Sequence, residues 1–250
     1  MNLINWLKRT ETEIEKISIK KPLLEFYIFG GYSLFFLLIV FFFSLLIKSH
    51  PMPLFEGVKF TDDLWYIIFI KLIFLLTVPV IIFKRLGYSV TYILKLRKSN
   101  HYFAVFFAFL IGCLLNLSHL SGILPLISPN NTLRILAGTL LPLICAAIPE
   151  ELFYRAMLQT RVEKLYGWSI SLFISSIMFS LFHLPSRLLL STGVEGLAGN
   201  LISISTGTLL PTFILGLVFA FLWNRYRNIY LLIALHYGID LLPSLSSMLA

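Results

Sequence analysis

Apolar residues in this chain gather into long runs, each close to the roughly 20 residues that a helix needs to cross the hydrocarbon core of a bilayer. The runs fall near 27–47, 65–83, 102–121, 134–158, 168–190, 206–223 and 229–248. This pattern predicts an all-α fold, a polytopic transmembrane helical bundle of about seven spans, with six to eight as the range. Before the first run, Leu3, Leu7, Ile14 and Ile17 share one helical face, while Lys8, Arg9, Lys16, Lys20 and Lys21 can meet anionic lipid. That distribution predicts an interfacial amphipathic helix. Residues 186–205, with Gly193, Gly196 and Gly199, are too interrupted for a span and are read as an outside loop or a short re-entrant piece.

Composition agrees with the pattern. Of 250 residues, 58% are hydrophobic, 23 are Phe and only 13% are charged, and the mean hydropathy is +0.88. Such a chain has too little polar surface for a soluble globule. The basic residues then assign sides, because cytoplasmic loops are enriched in Lys and Arg. In chain order the connecting segments carry five, two, five, one, three, one, two and none. High and low alternate, so the N-terminus is expected to be cytoplasmic. The net charge of +8 follows from this topology and does not call for nucleic acid as a partner.

The first apolar run starts late, is full length and lacks small residues at cleavage spacing, so it is expected to stay as a span and not to act as a cleaved signal. Cys113 and Cys145 lie within apolar runs without metal-ligand spacing and are read as small buried hydrophobes. The domain reading is a cytoplasmic N-terminal segment at 1–25 followed by a single multi-pass membrane domain at 26–250.

Polar residues inside the spans carry the chemistry. A charged side chain near the bilayer centre costs at least about 2.5 to 3.5 kcal/mol, so it needs a partner or a wet cavity. Glu150 and Glu151 stand together in the fourth run, followed by Arg155. Glu151 and Arg155, four apart, face each other on a helix. Glu150 points about 100° away, which leaves it without that partner and available to a cavity. Pro149 disfavours a regular helix at this point. Phe179 and His183 share a face in the fifth run, with Leu184-Pro185 marking a break soon after. His236 and Asp240 share a face in the seventh. His50, His101 and His119 lie at loops or span ends, and Lys71 is read as a structural cation that snorkels to an interface.

A carboxylate, two imidazoles and an Asp inside a membrane suit peptide hydrolysis, in which the carboxylate takes a proton from water and imidazoles position that water and stabilise the oxyanion. Three other solutions to proteolysis in membranes are missing: there is no H-E-x-x-H, no G-x-S-G and no G-x-G-D.

Glu150-Glu151-x-x-x-Arg155, Phe179-x-x-x-His183 and His236-x-x-x-Asp240, in that order, resemble the three motifs of the CPBP family, the Abi or CAAX-protease-like membrane proteins that include the type II CAAX prenyl endopeptidases. The resemblance covers about 134–245. It implies a glutamate-dependent intramembrane endopeptidase with its site in a conical cavity of a helical bundle. By motif position, Glu150 would activate water and His183 would help to hold it. His236 and Asp240 would belong to the oxyanion side, with Glu151, Arg155 and Phe179 in support. Asp240 is a carboxylate, which donates to an oxyanion only when protonated, so orienting His236 is its alternative role.

The resemblance favours a site without cofactor. A zinc site of Glu150, His183 and His236 with a free fourth position is the less favoured version. The implied partners are a membrane-associated protein or peptide substrate and the lipid bilayer, with the oligomeric state open. Eukaryotic relatives cleave prenylated CAAX proteins, and bacterial ones are associated with peptide processing or bacteriocin self-immunity. The short chain without an organelle address suggests a bacterial plasma membrane. A proton-coupled carrier and a non-catalytic scaffold or immunity factor of the same family are the competing functions. A carrier would usually show paired halves, and a scaffold has no need to bury these charges.

Overall fold

The computed structural model describes residues 19–49, 66–94, 101–190 and 200–249, and every element among them is helical. The all-α membrane bundle expected from the apolar runs is therefore what forms. The interfacial helix expected before residue 19, and residues 191–199 of the interrupted segment expected at 186–205, lie outside the described residues; the two ends of that segment are helical.

The first helix, α1 (Pro22–Ser49), buries Phe29, Phe36 and Val40 on one stripe and turns Leu34, Phe35, Leu38 and Phe42 outward. Apolar side chains thus cover both faces, as expected where the outer solvent is lipid. Helix α2 (66–85) begins as a π-helix, Tyr66–Thr77, and continues as an α-helix, Val78–Arg85. After the short α3 (Val90–Leu94), α4 (His101–Leu115) ends at Asn116, where the path bends by 60° into short turns at 117–126. The path α5 (132–166) runs to Gly167, whose φ of +82° lies in the left-handed region that glycine tolerates. Helices α6 (168–190), α7 (Leu201–Tyr226) and α8 (Ile229–Leu249) complete the bundle.

Among the described residues, four helices are long and apolar enough to cross a membrane, or five if the bent pair at 102–126 is one span. The count of seven differs for an identifiable reason. One of the four is the 62-residue path Pro129–Leu190, which holds two of the seven runs, and the run at 65–83 falls in α2, whose first part is π-helical. The last two boundaries also shift: α7 starts at Leu201, ahead of the expected 206, and α6 continues through Pro185 to Leu190 instead of breaking there. Pro185 costs the helix one hydrogen bond without ending it.

With lipid outside, helices associate through close packing of small residues more than through hydrophobic burial. Helix α8 crosses α4 at Gly112 and Gly238. A Cβ at Gly112 would come within 2.5 Å of the Leu235 carbonyl oxygen, and one at Gly238 within 2.3 Å of that of Phe109. Only hydrogen fits at this crossing, which fixes the height of α8 and hence of His236. Helices α6 and α7 meet in the same way, with Gly216 against Ser176 and the Ser180 hydroxyl donating to the Leu209 carbonyl at 2.8 Å.

Charged pairs close one end of the bundle. Glu25 of α1 accepts from Arg161 of α5 at 3.2 Å and from the Tyr88 hydroxyl at 2.6 Å. The Arg161 guanidinium lies over the rings of Phe29, Phe83 and Tyr88. Burial, together with this hydrogen bond to Glu25, pushes the Tyr88 phenol above its ordinary range. Glu163 pairs with Arg227 and accepts from Asn224. These pairs join α1 and the α7–α8 turn to α5 near its C-terminal end.

Candidate active site

Glu150 and Glu151 sit between two widened turns of α5. The path is π-helical over Pro142–Ala147 and again over Glu151–Gln159, with only Ile148–Glu150 as regular helix between them. Pro142 and Pro149 have no N–H to close the ordinary turn, and π-helical insertions of this kind are frequent at functional sites. Because α5 continues for four turns past Glu150, both carboxylates lie deep in the bundle, 1% and 0% exposed.

The two neighbours divide as their spacing implies. Glu151 Oε2 accepts from Arg155 Nε at 3.2 Å, and Arg155 also donates to the Ser175 hydroxyl at 3.1 Å. The guanidinium rests 4.7 Å from the Phe179 ring centroid and 5.8 Å from that of Phe219. Glu151 Oε1 accepts from His236 Nδ1 at 2.9 Å. Glu151 thus ties two buried donors on different helices and has little capacity left for chemistry.

Glu150 lacks Arg155 as a partner, as its spacing implies, but it has another, and here the reading of Lys71 is corrected. Lys71 of α2 donates to its Oε1 at 2.5 Å and is only 11% exposed. Lys71 therefore does not snorkel to an interface; it points into the bundle, with the Phe182 ring 5.8 Å from its ammonium. The other oxygen, Oε2, is buried and accepts no hydrogen bond from the described residues. It stands 3.9 Å from His183 Nε2 and 3.7 Å from His236 Nε2.

Each imidazole is fixed by what surrounds it. His183 Nδ1 lies 2.8 Å from the Phe179 carbonyl oxygen. A carbonyl can only accept, so Nδ1 carries a proton, and in the neutral ring Nε2 presents a lone pair toward Glu150. The ring is held by Phe182 at 3.9 Å and by the edge of Phe179 at 5.0 Å. His236 stacks on Phe219 at 5.1 Å. Its Nε2 lies 3.3 Å from Asp240 Oδ2, so both of its nitrogens face carboxylates, an arrangement that only the doubly protonated ring satisfies in full. Asp240 is 36% exposed at its side chain, whereas the rest of the group is enclosed.

Glu150, His183, His236 and Asp240, from three helices, therefore converge on one point, with Glu151, Arg155 and Phe179 behind them. Sequence reading missed Lys71 as a member, and also Phe182 and Phe219, which look like any other aromatic of an apolar run. Lys71 carried a usable signal, because an ionisable residue within a span is itself a candidate for a site. Cys113 is half-buried and Cys145 buried. The donor set does not fit a zinc ion. Among the described residues no group of three or more His, Cys, Asp or Glu side chains could hold a metal ion.

Comparison with known proteins identifies the segment that bears this site. Residues 132–242 match the family model of the type II CAAX prenyl endopeptidase, Rce1-like, which bears out the resemblance carried by the three motifs. No curated protein and no solved structure matches the chain.

Proposed function

With a type II CAAX prenyl endopeptidase, Rce1-like segment at 132–242 of a multi-pass membrane protein as the premise, we propose that the chain hydrolyses a peptide bond of a membrane-associated protein or peptide with a water activated by Glu150. The observation that carries this reading is the free, buried Oε2 of Glu150 beside two imidazole Nε2 atoms at 3.9 and 3.7 Å. That spacing suits a water donating one hydrogen to Oε2 and the other to the lone pair on His183 Nε2. Oxygen attacks the carbonyl carbon as its proton passes to Glu150. His236, supplied with protons and held by Glu151, donates to the developing oxyanion. As the tetrahedral intermediate collapses, the C–N bond breaks and Glu150 returns the proton to the leaving amine. Asp240 faces His236 Nε2 and serves to orient it, the second of its two sequence-based roles. No metal enters these steps.

The family name makes prenylated CAAX sequences the substrate class to try first. Substrate trapping with Glu150→Ala in native membranes tests the reading: precursors should accumulate that the wild-type protein removes, as identified by mass spectrometry. An unchanged set of membrane peptides would favour a scaffold.

The membrane in question is proposed to be a bacterial plasma membrane, with the N-terminus and residues 84–101 cytoplasmic and 48–64 outside, on the distribution of Lys and Arg. Reporter fusions at 55 and 90 should report opposite sides, and the same side for both would overturn this topology.

A further inference from the structure

Lys71 lies outside the matched segment 132–242, 79 residues from Glu150 in the chain, yet its ammonium touches Oε1 of the carboxylate on which the proposed chemistry turns. We propose that Lys71 is a positioning residue of this site: its ammonium holds Oε1 of Glu150, so that Oε2 is the oxygen presented to the two imidazoles. The inference rests on the protease reading and adds to it a residue from a helix that the three motifs do not include.

Three observations carry it. A carboxylate has two equivalent oxygens and a freely turning terminal torsion, and the contacts here make the oxygens unequal: one is taken by Lys71, the other is free and aimed at His183 and His236. Lys71 is also the contact that fixes the Glu150 carboxylate within the buried group. The buried group holds Glu150, Glu151 and Asp240 against Arg155, Lys71 and a protonated His236, and Arg155 and His236 are both committed to Glu151. Glu150 has Lys71 as its sole hydrogen-bond donor among the described residues. Finally, Lys71 comes from the π-helical part of α2, Tyr66–Thr77, and that stretch packs against the stretches of α5 on both sides of Glu150. A widened turn on each helix brings the long side chain end-on to the carboxylate. A point charge on a flexible stem suits this contact, whereas a guanidinium would offer a fork to both oxygens at once.

The role predicts a specific kinetic pattern. Misplacing a reacting group by about 1 Å costs on the order of 10²-fold in rate. Lys71→Met should therefore lower kcat by about that factor with little change in KM, because substrate does not rest on Lys71. Lys71→Arg should accumulate normally yet recover little of the rate, since the forked donor engages Oε2 as well. Lys71→Cys alkylated with 2-bromoethylamine, in a background with Cys113 and Cys145 changed to Ser, restores an ammonium of nearly the original length and should recover most of the rate.

The experiment uses the full-length protein in liposomes, with cleavage of a farnesylated CAAX peptide as probe, replaced by a trapped precursor if that peptide is not cut. Wild-type kcat in Lys71→Met overturns the proposal and leaves the protease reading standing. Wild-type turnover in Glu150→Gln overturns the protease reading and the role of Lys71 with it. The contact itself is read without substrate, from thermal unfolding of Lys71→Met, Glu150→Gln and the double variant. Non-additive shifts are expected for groups in direct contact, and strictly additive ones would overturn the pairing whatever the activity.

Discussion

Glu150→Gln is expected to reduce turnover by about 10² to 10⁴, the usual loss when a general base is removed, while the protein still inserts and folds. The amide keeps the size of the side chain, and its oxygen can still accept from Lys71 as Glu150 Oε1 does at 2.5 Å. What it cannot do is take a proton from water at the position of Oε2. The effect on turnover should therefore fall on kcat, while the thermal midpoint drops by what loss of the buried Lys71 ion pair costs. Removing metal from the wild type with a chelator should leave cleavage unchanged, in keeping with a donor set that does not form a zinc site. Full activity of folded Glu150→Gln would end the glutamate mechanism. A loss on chelation that added metal reverses would move the chemistry to zinc.

Glu151→Gln should fail in a different way. Glu151 accepts from Arg155 through one oxygen and from His236 through the other, and all three side chains are buried. An amide has a single oxygen, and its NH₂ group would face a donor, so one buried cation loses its acceptor. Breaking a buried pair by removing one partner costs on the order of 3 to 5 kcal/mol, a large share of the stability of an ordinary domain. The expected result is poor accumulation in membranes and a much lower thermal midpoint in detergent. Arg155→Met combined with Glu151→Gln should recover part of the loss, because the uncompensated charge is gone. Normal accumulation of Glu151→Gln would show that the pair is not what holds this part of α5.

The two substitutions are one residue apart and differ in outcome because of where their partners come from. Glu151 has an intrahelical partner, Arg155, at the spacing that lets side chains meet on a helix, and the sequence spells that out. Glu150 is answered by Lys71 from another helix, and no local pattern announces it. The same contrast holds elsewhere. His236 and Asp240, four apart, were legible as a pair, and so was the face shared by Phe179 and His183. The link from Glu25 to Arg161, 136 residues apart, was not.

What the sequence determined by itself was the solvent, the class of fold and the set of ionisable residues inside the spans. The apolar runs are long because lipid, unlike water, leaves no backbone group a partner outside the helix. The few ionisable residues among them stand out because each is costly there, which is how Glu150, His183, His236 and Asp240 were found before their positions were known. Tertiary structure decided the rest. It decided that the fourth and fifth runs form one path broken at Gly167, that Gly112 and Gly238 let α8 settle against α4, and that Lys71 turns inward to Glu150. These outcomes depend on which helices lie side by side and how closely, and that is settled by van der Waals fit and buried charge between segments far apart in the chain. Residue spacing along one helix carries no information about either.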